Sequence, residues 1–205
     1  MLSIQTIQPD TLELLKRLSN HDELRETRLV GGTALALLYG HRQSIDLDFF
    51  GHLPHDKEEL IAIASQEGTI TVLNRTNYIL QMIINGVKVD FVDYSRYSWI
   101  DEPVKGDGFV LASDKDIAAL KVNAIMGRGT GKDFVDIYIL LQHYSLEEIL
   151  SFYKQKYPEH SEYRALRSLT YFEDAEMQDM PTMLIDTPWN DMKKAILKAV
   201  NDYQK

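Results

Sequence analysis

Two hydrophobic periods run along this chain, and one gives way to the other near its middle. Between residues 78 and 93 the period is two: Leu80, Met82 and Ile84 lead into Asn85-Gly86, and Val87, Val89 and Phe91 follow. Asn-Gly between alternating apolar runs predicts a hairpin closed by a type I′ turn. With those two residues as the loop, Ile84 faces Val87, Met82 faces Val89 and Leu80 faces Phe91, six residues on one face. Asp90 then lies opposite Gln81 on the other face, beside Lys88. Asp is disfavoured in strands, so Asp90 interrupts an otherwise strong strand.

Beyond residue 110 the period becomes helical. Ser113 opens a helix whose stripe is Ile117, Leu120, Ala124 and Ile125. Lys121 falls inside that stripe, where a lysine snorkels to the surface or reaches into a cleft. Phe134, Ile137, Leu140 and Leu141 mark a second helix, and Ser145 caps a third that runs to about Lys156. Residues 161–172 read as a fourth. Asn190 or Asp191 caps a last helix with Met192, Ile196, Val200 and Tyr203 on one face. Upstream, residues 9–20 and 57–66 read as helices and residues 27–30 and 70–73 as strands. The reading is α/β (α+β): a mixed sheet with flanking helices over residues 1–110, then a helical domain over residues 111–205 packed on the same cleft.

Residues 29–50 join these elements. An apolar run reaches Gly31-Gly32-Thr33, an apolar helix follows to about Gly40, and a strand then carries Asp46 and Asp48. Side chains at i and i+2 share a strand face, roughly 6–7 Å apart, which leaves Ile45, Leu47 and Phe49 to pack on the other. Aligned carboxylates repel unless a cation lies between them, and oxygen-only ligands suit Mg²⁺ or Mn²⁺. Gly31 and Gly32 expose backbone N–H groups at a helix N-terminus, which favours phosphate, although a Gly-Gly pair alone signals only a turn. Asp133 and Asp136, three apart near a helix start, read locally as structural. His52 and His55 read as solvated loop residues.

Composition narrows the class. The 205 residues are 44% hydrophobic and 26% charged, as in globular proteins. No apolar run is long enough for a membrane span, no signal-peptide pattern opens the chain, and there is no cysteine. The expectation is a cytoplasmic protein without disulfides or thiolate sites. Net charge is −9, so any nucleic-acid contact must be a local basic patch. Arg128, Lys132 and Lys105 are the candidates, the first within the flexible Gly127–Gly131 stretch and the second just after it.

Gly31-Gly32-Thr33 opening a helix, an Asp-x-Asp strand and a third Asp on a later strand resemble the polymerase-β-like nucleotidyltransferases. The longer set runs through Ala34 and Leu35, then Arg42 to Phe49, Lys121 to Ala124, Arg128, and Lys132 to Asp136. It closely resembles the AbiEii/AbiGii toxin family of nucleotidyltransferases, over most of residues 28–141, and residues 171–176 are similar to that family's C-terminal region. The resemblance implies transfer of an NMP group from an NTP to an acceptor, an RNA such as tRNA or a protein, with pyrophosphate leaving. It implies a toxin of an abortive-infection or toxin–antitoxin system, with a cognate antitoxin as partner.

By the same resemblance, Asp46 and Asp48 hold Mg²⁺ or Mn²⁺ and Asp90 completes the metal site. Gly31, Gly32 and Thr33 seat the triphosphate, Lys121 pairs with phosphate, and Asp133 sits across the cleft. Arg42 and Ser44 shape the loop that presents Asp46, and Arg128 joins the nucleotide-binding set. One departure stands out: the superfamily's usual Gly-Ser turn is here Gly32-Thr33 after an extra glycine. Two other classes share the pattern. One is a non-catalytic binding or regulatory protein with this fold, suggested by the acidic surface. The other is a small-molecule nucleotidyltransferase of the aminoglycoside-modifying kind.

Overall fold

The computed structural model describes all residues from Met1 to Lys205. In chain order the elements are α1 (Pro9–Ser19), β1 (Thr27–Val30), α2 (Gly31–Tyr39), β2 (Leu47–Gly51), α3 (Lys57–Glu67), β3 (Ile70–Arg75), β4 (Ile79–Ile84) and β5 (Val87–Asp93). Then follow β6 (Val104–Lys105), β7 (Val110–Leu111), α4 (Asp114–Gly127), α5 (Gly131–Leu140), α6 (Leu146–Lys156), α7 (Glu162–Leu169), α8 (Glu173–Glu176) and α9 (Trp189–Tyr203). Seven strands form one mixed sheet in the order β3-β4-β5-β2-β1-β7-β6.

The hairpin carries the predicted register. Ile84 pairs with Val87, Met82 with Val89, Leu80 with Phe91 and Gln81 with Asp90. Asn85 and Gly86 both hold positive φ, at 51° and 85°, as a type I′ turn requires. Strand β5 then runs parallel to β2, and Asp48 is the register partner of Asp90. Leu47, Phe49, Leu80, Met82, Val89 and Phe91 point to the buried face. Helix α3 packs against β4 and against α1 on the sheet.

The opposite face of the same strands is only partly buried. Helix α4 is the hub of the second half and packs on α2, α5, α6 and α7. Ser113 caps it by accepting from the Asp116 amide. The capping box at Ser145 and Glu148 forms on α6. One cluster of 42 buried residues spans both halves of the chain, so sheet and helices share a continuous core. No helix is long and apolar enough to cross a membrane.

Three local expectations change. Strand β2 begins at Leu47, so Ile45 stands in the preceding loop and is 62% exposed rather than packed. Helix α9 begins at Trp189 behind Pro188, not at an Asn190 or Asp191 cap, and Tyr203 ends it at the surface. Strands β6 and β7 extend the sheet beyond β1, where the sequence pattern predicts no strand. Two-residue strands carry no periodicity, and their place depends on backbone pairing of Leu111 beside Leu29.

Candidate active site

The partly buried face of β2, β5 and β4 is laid out in two rows. Asp48, Asp90 and Gln81 are side by side across the three strands, and two residues further along Phe50, Val92 and Ile79 are side by side in the same way. The two-residue strand period puts both rows on the same face, the first polar and the second apolar. Above them α4 contributes Leu120, Lys121 and Ala124, Arg128 follows at its C-terminus, and a cleft of about 650 Å³ lies between. That volume is in the usual range for a small-ligand pocket, roughly 300–1,000 Å³.

One end of the cleft is charged. The Asp90 carboxylate is held on a single oxygen: Gln81 Nε2 donates to Oδ2 at 2.7 Å and Lys88 Nζ at 2.9 Å. Its Oδ1 is buried and has no hydrogen-bond partner. Asp48 lies beside it. Burial, then the neighbouring Asp90 and Asp46 charges, push the Asp48 carboxyl up to about 6. Asp46 stands just before β2 with Lys132 Nζ 3.4 Å from its Oδ2. No three carboxylate or imidazole groups converge at metal-ligand spacing as these side chains stand. Instead lysines are seated on Asp90 and Asp46, as expected for repelling carboxylates with no other cation between them.

The turn before α2 is shaped by two close approaches. Gly31 has φ +71°, and a Cβ there would lie 2.3 Å from Asp48 Oδ2. A Cβ on Gly32 would lie 1.9 Å from Arg42 Nη2. Neither position has room for a side chain, and Gly31 adopts a backbone that L-residues avoid. The double glycine therefore lets the helix N-terminus touch the carboxylate on one side and the arginine on the other.

Behind this turn is a buried ion network. Arg42 grips Asp136 with a two-pronged contact, Nε to Oδ1 at 2.7 Å and Nη2 to Oδ2 at 2.9 Å. His41 Nε2 is 2.8 Å from the same carboxylate. Lys121 Nζ sits 2.5 Å from Asp136 and 3.0 Å from Asp133. Arg128 and Thr130 complete Asp133, at 3.0 Å and 2.6 Å. Burial opposes ionisation of both Asp133 and Asp136. Lys121 first, with Arg128 at Asp133 and Arg42 at Asp136, outweighs it and holds both carboxyls far below the usual range.

The predicted residues thus divide. Asp48, Asp90, Gly31, Lys121 and Arg128 line one cleft. Lys121 is buried rather than snorkelling outward, because two carboxylates hold its ammonium inside. Thr33 differs from expectation. Its hydroxyl donates to the Asp46 carbonyl and shares a 2.8 Å hydrogen bond with Ser44, and the side chain is buried, so it braces the Asp46 loop from below. Arg42 is buried against Asp136 and likewise supports the turn. Asp133 is fully buried behind Lys121 and does not face the cleft. Lys105 is on β6, with β7 and β1 between it and β2, and takes no part.

The hairpin register already places Gln81 opposite Asp90 and Lys88 beside it; what sequence reasoning missed is that both donate to a single carboxylate oxygen. It also missed the far end of the cleft. There the Tyr94 and Tyr157 hydroxyls share a 2.8 Å hydrogen bond, Tyr97 stacks on Tyr94 at 4.6 Å and His160 on Tyr157 at 5.0 Å. Arg96 lies over the Tyr78 ring at 4.6 Å. These rings come from segments that are distant in sequence, so no local pattern announces them.

Among solved structures the fold is that of nucleotidyltransferases. MenT4, a nucleotidyltransferase toxin from Mycobacterium tuberculosis, superposes with a TM-score of 0.56 at 16% identity, covering 94% of this chain and 82% of its own. A protein of H. pylori presumed to be a nucleotidyltransferase superposes with a TM-score of 0.54 at 18% identity, covering 95% and 94%. At such identities the likeness establishes the fold alone. The family is established by sequence: residues 13–205 match the nucleotidyl transferase AbiEii toxin family of type IV toxin–antitoxin systems, and the chain belongs to it. An uncharacterized protein of Aquifex aeolicus is 31% identical over 98% of both chains. The chain is accordingly an enzyme of the nucleotidyltransferase class.

One prediction arises from the glycine turn. Gly31→Ala is expected to weaken nucleotide binding at least tenfold, since its Cβ displaces the Asp48 carboxylate. Calorimetric titration with an NTP in the presence of Mn²⁺ checks this, and wild-type affinity in the variant would contradict it.

Proposed function

We propose that this protein is a metal-dependent nucleotidyltransferase that moves NMP from an NTP to an RNA acceptor. It acts as the toxin of a cytoplasmic toxin–antitoxin pair. The observation that carries the reading is the Asp90 carboxylate, in register with Asp48, clamped on Oδ2 and left with a buried, unpartnered Oδ1. A buried acceptor oxygen without a donor is costly unless a cation meets it. The donor set of Asp46, Asp48 and Asp90 is all carboxylate oxygen, which fits Mg²⁺ or Mn²⁺. When bound, such an ion supplies charge neutralisation to phosphate and lowers the pKa of an attacking hydroxyl.

The residues of the chain divide the remaining work. The α2 N-terminus at Gly31, with Lys121 and Arg128, offers N–H groups and positive charge to the triphosphate. The row of Phe50, Val92 and Ile79, with the tyrosines beyond it, offers flat apolar surface to a nucleobase. In the transfer, an acceptor hydroxyl oxygen bonds to the α-phosphorus. The bond from that phosphorus to the α,β-bridging oxygen breaks, and pyrophosphate leaves with the electron pair. The hydroxyl proton passes to Asp90 or to water.

Incubation with radiolabelled NTP, Mg²⁺ and total tRNA tests the reading. Wild-type protein is expected to label RNA, and Asp90→Asn to lower the rate at least a hundredfold, the scale on which a positioned proton acceptor acts. No labelling of any RNA by the wild type, or equal labelling by the variant, would refute it in favour of a non-catalytic role.

A further inference from the structure

A second groove, of about 480 Å³, opens between α7 and the loop after α4. Gly127 and Arg128 line both this groove and the cleft, so the two adjoin there. Its walls carry Arg128, Arg164 and Arg167, together with the rings of Tyr163, 66% exposed, and Tyr171, 50% exposed. Asp174 is the one carboxylate among its lining residues.

The groove differs from most of the surface, although Arg96, Lys105 and Lys154 are also exposed without a carboxylate partner. The chain has 31 acidic residues against 22 lysines and arginines, and surface cations such as Arg17, Arg75, Lys115 and Lys193 are each seated on a carboxylate. Arg164 and Arg167 are exposed, three residues apart on one face of α7, and neither forms an ion pair within the chain. Unpaired guanidinium groups in an acidic protein are held ready for an external anion. The exposed tyrosine rings beside them add faces on which bases stack. An acidic peptide would satisfy the charges but would leave Tyr163 and Tyr171 without planar partners.

From this we infer that the α7 groove binds single-stranded RNA, the backbone on Arg164 and Arg167 and bases on the tyrosines, and leads the acceptor past Arg128 into the cleft. The inference rests on the proposed RNA acceptor and adds the surface that holds it. The groove lies outside the carboxylate site, so its substitutions leave nucleotide binding intact.

Fluorescence anisotropy with a labelled single-stranded RNA of about twelve nucleotides tests it. The double variant R164A/R167A is expected to bind at least tenfold more weakly at low salt. Its plot of log affinity against log salt should be shallower by about 1.4, the slope of two lost phosphate contacts at about 0.7 each. R164K/R167K is expected to keep the wild-type slope. Unchanged affinity and slope in the alanine variant would overturn the inference, as would wild-type affinity for poly-glutamate equal to that for RNA. NTP binding on the same samples separates the two readings. If NTP binds and RNA binding ignores the arginines, the groove alone fails. A wild-type chain that binds no NTP overturns the transferase reading and this inference with it.

Discussion

Asp48→Asn is expected to do two opposite things: abolish nucleotidyl transfer and make the protein more stable near neutral pH. The native fold raises the Asp48 carboxyl to about 6 from an ordinary 3.8, through burial and the adjacent Asp90 and Asp46. A raised carboxyl binds its proton more tightly in the folded than in the unfolded chain. Stability is therefore greatest below about pH 4, falls as pH rises to about 6, and keeps the full penalty above that. A shift of about two units corresponds to roughly 3 kcal/mol. Asparagine carries no charge to repel, so most of that penalty disappears. For a chain of this size about 1 kcal/mol moves Tm by about 2–4 °C, and the variant should melt several degrees higher near pH 8. The gain should vanish as pH falls to about 4. Thermal melts across that range check it. A variant no more stable at high pH, or equally stabilised at both ends, would show that Asp48 is not strained by its neighbours.

Asp136→Asn is expected to have the largest structural cost in the chain. Asp136 is fully buried and carries Arg42, Lys121 and His41 on one carboxylate. Neutralising it leaves two buried cations without their main counter-charge, and removing one partner of such a pair typically costs about 3–5 kcal/mol. That is a large fraction of a domain's total stability. Arg42 also packs against Gly32, so its release should loosen the turn that positions Gly31 beside Asp48. Urea unfolding near pH 7 is expected to show a midpoint far below wild type, with nucleotide binding lost in parallel. The partly solvent-accessible Lys132–Asp46 pair, at a longer 3.4 Å, is the contrast: Lys132→Ala should change stability by less than about 1 kcal/mol. A loss below about 1 kcal/mol in the Asp136 variant would mean that Arg42 and Lys121 find water or Asp133 instead.

Much of this site is legible in the amino-acid sequence. Asn85-Gly86 fixes the hairpin register locally, because a two-residue I′ loop leaves no choice of partner. That register alone puts Asp90 on the face away from the core. Asp46 and Asp48 read as a pair because strands alternate, although only Asp48 lies within the strand. Lys121 and Asp136 are harder. A lysine in an apolar stripe and an aspartate at a helix start each have ordinary local readings, and both are overridden by a contact between two helices. Thr33 departs from its expected role for the same reason: a hydroxyl at a helix N-terminus suits phosphate, but the returning Ser44–Asp46 loop claims it first.

Short-range periodicity and turn chemistry thus determined the elements, the carboxylates and the glycine turn, since each depends on neighbours within a few residues. The tertiary structure alone decided the rest. It set β2 beside β5 so that Asp48 meets Asp90, and it turned Lys121 inward. It gathered tyrosines from residues 78, 94, 97 and 157 into one wall and brought Arg164 and Arg167 to the cleft's edge. The physical reason is that burial and charge pairing act across space. Which carboxylate a buried cation meets depends on how helices pack, and no period along the chain encodes that.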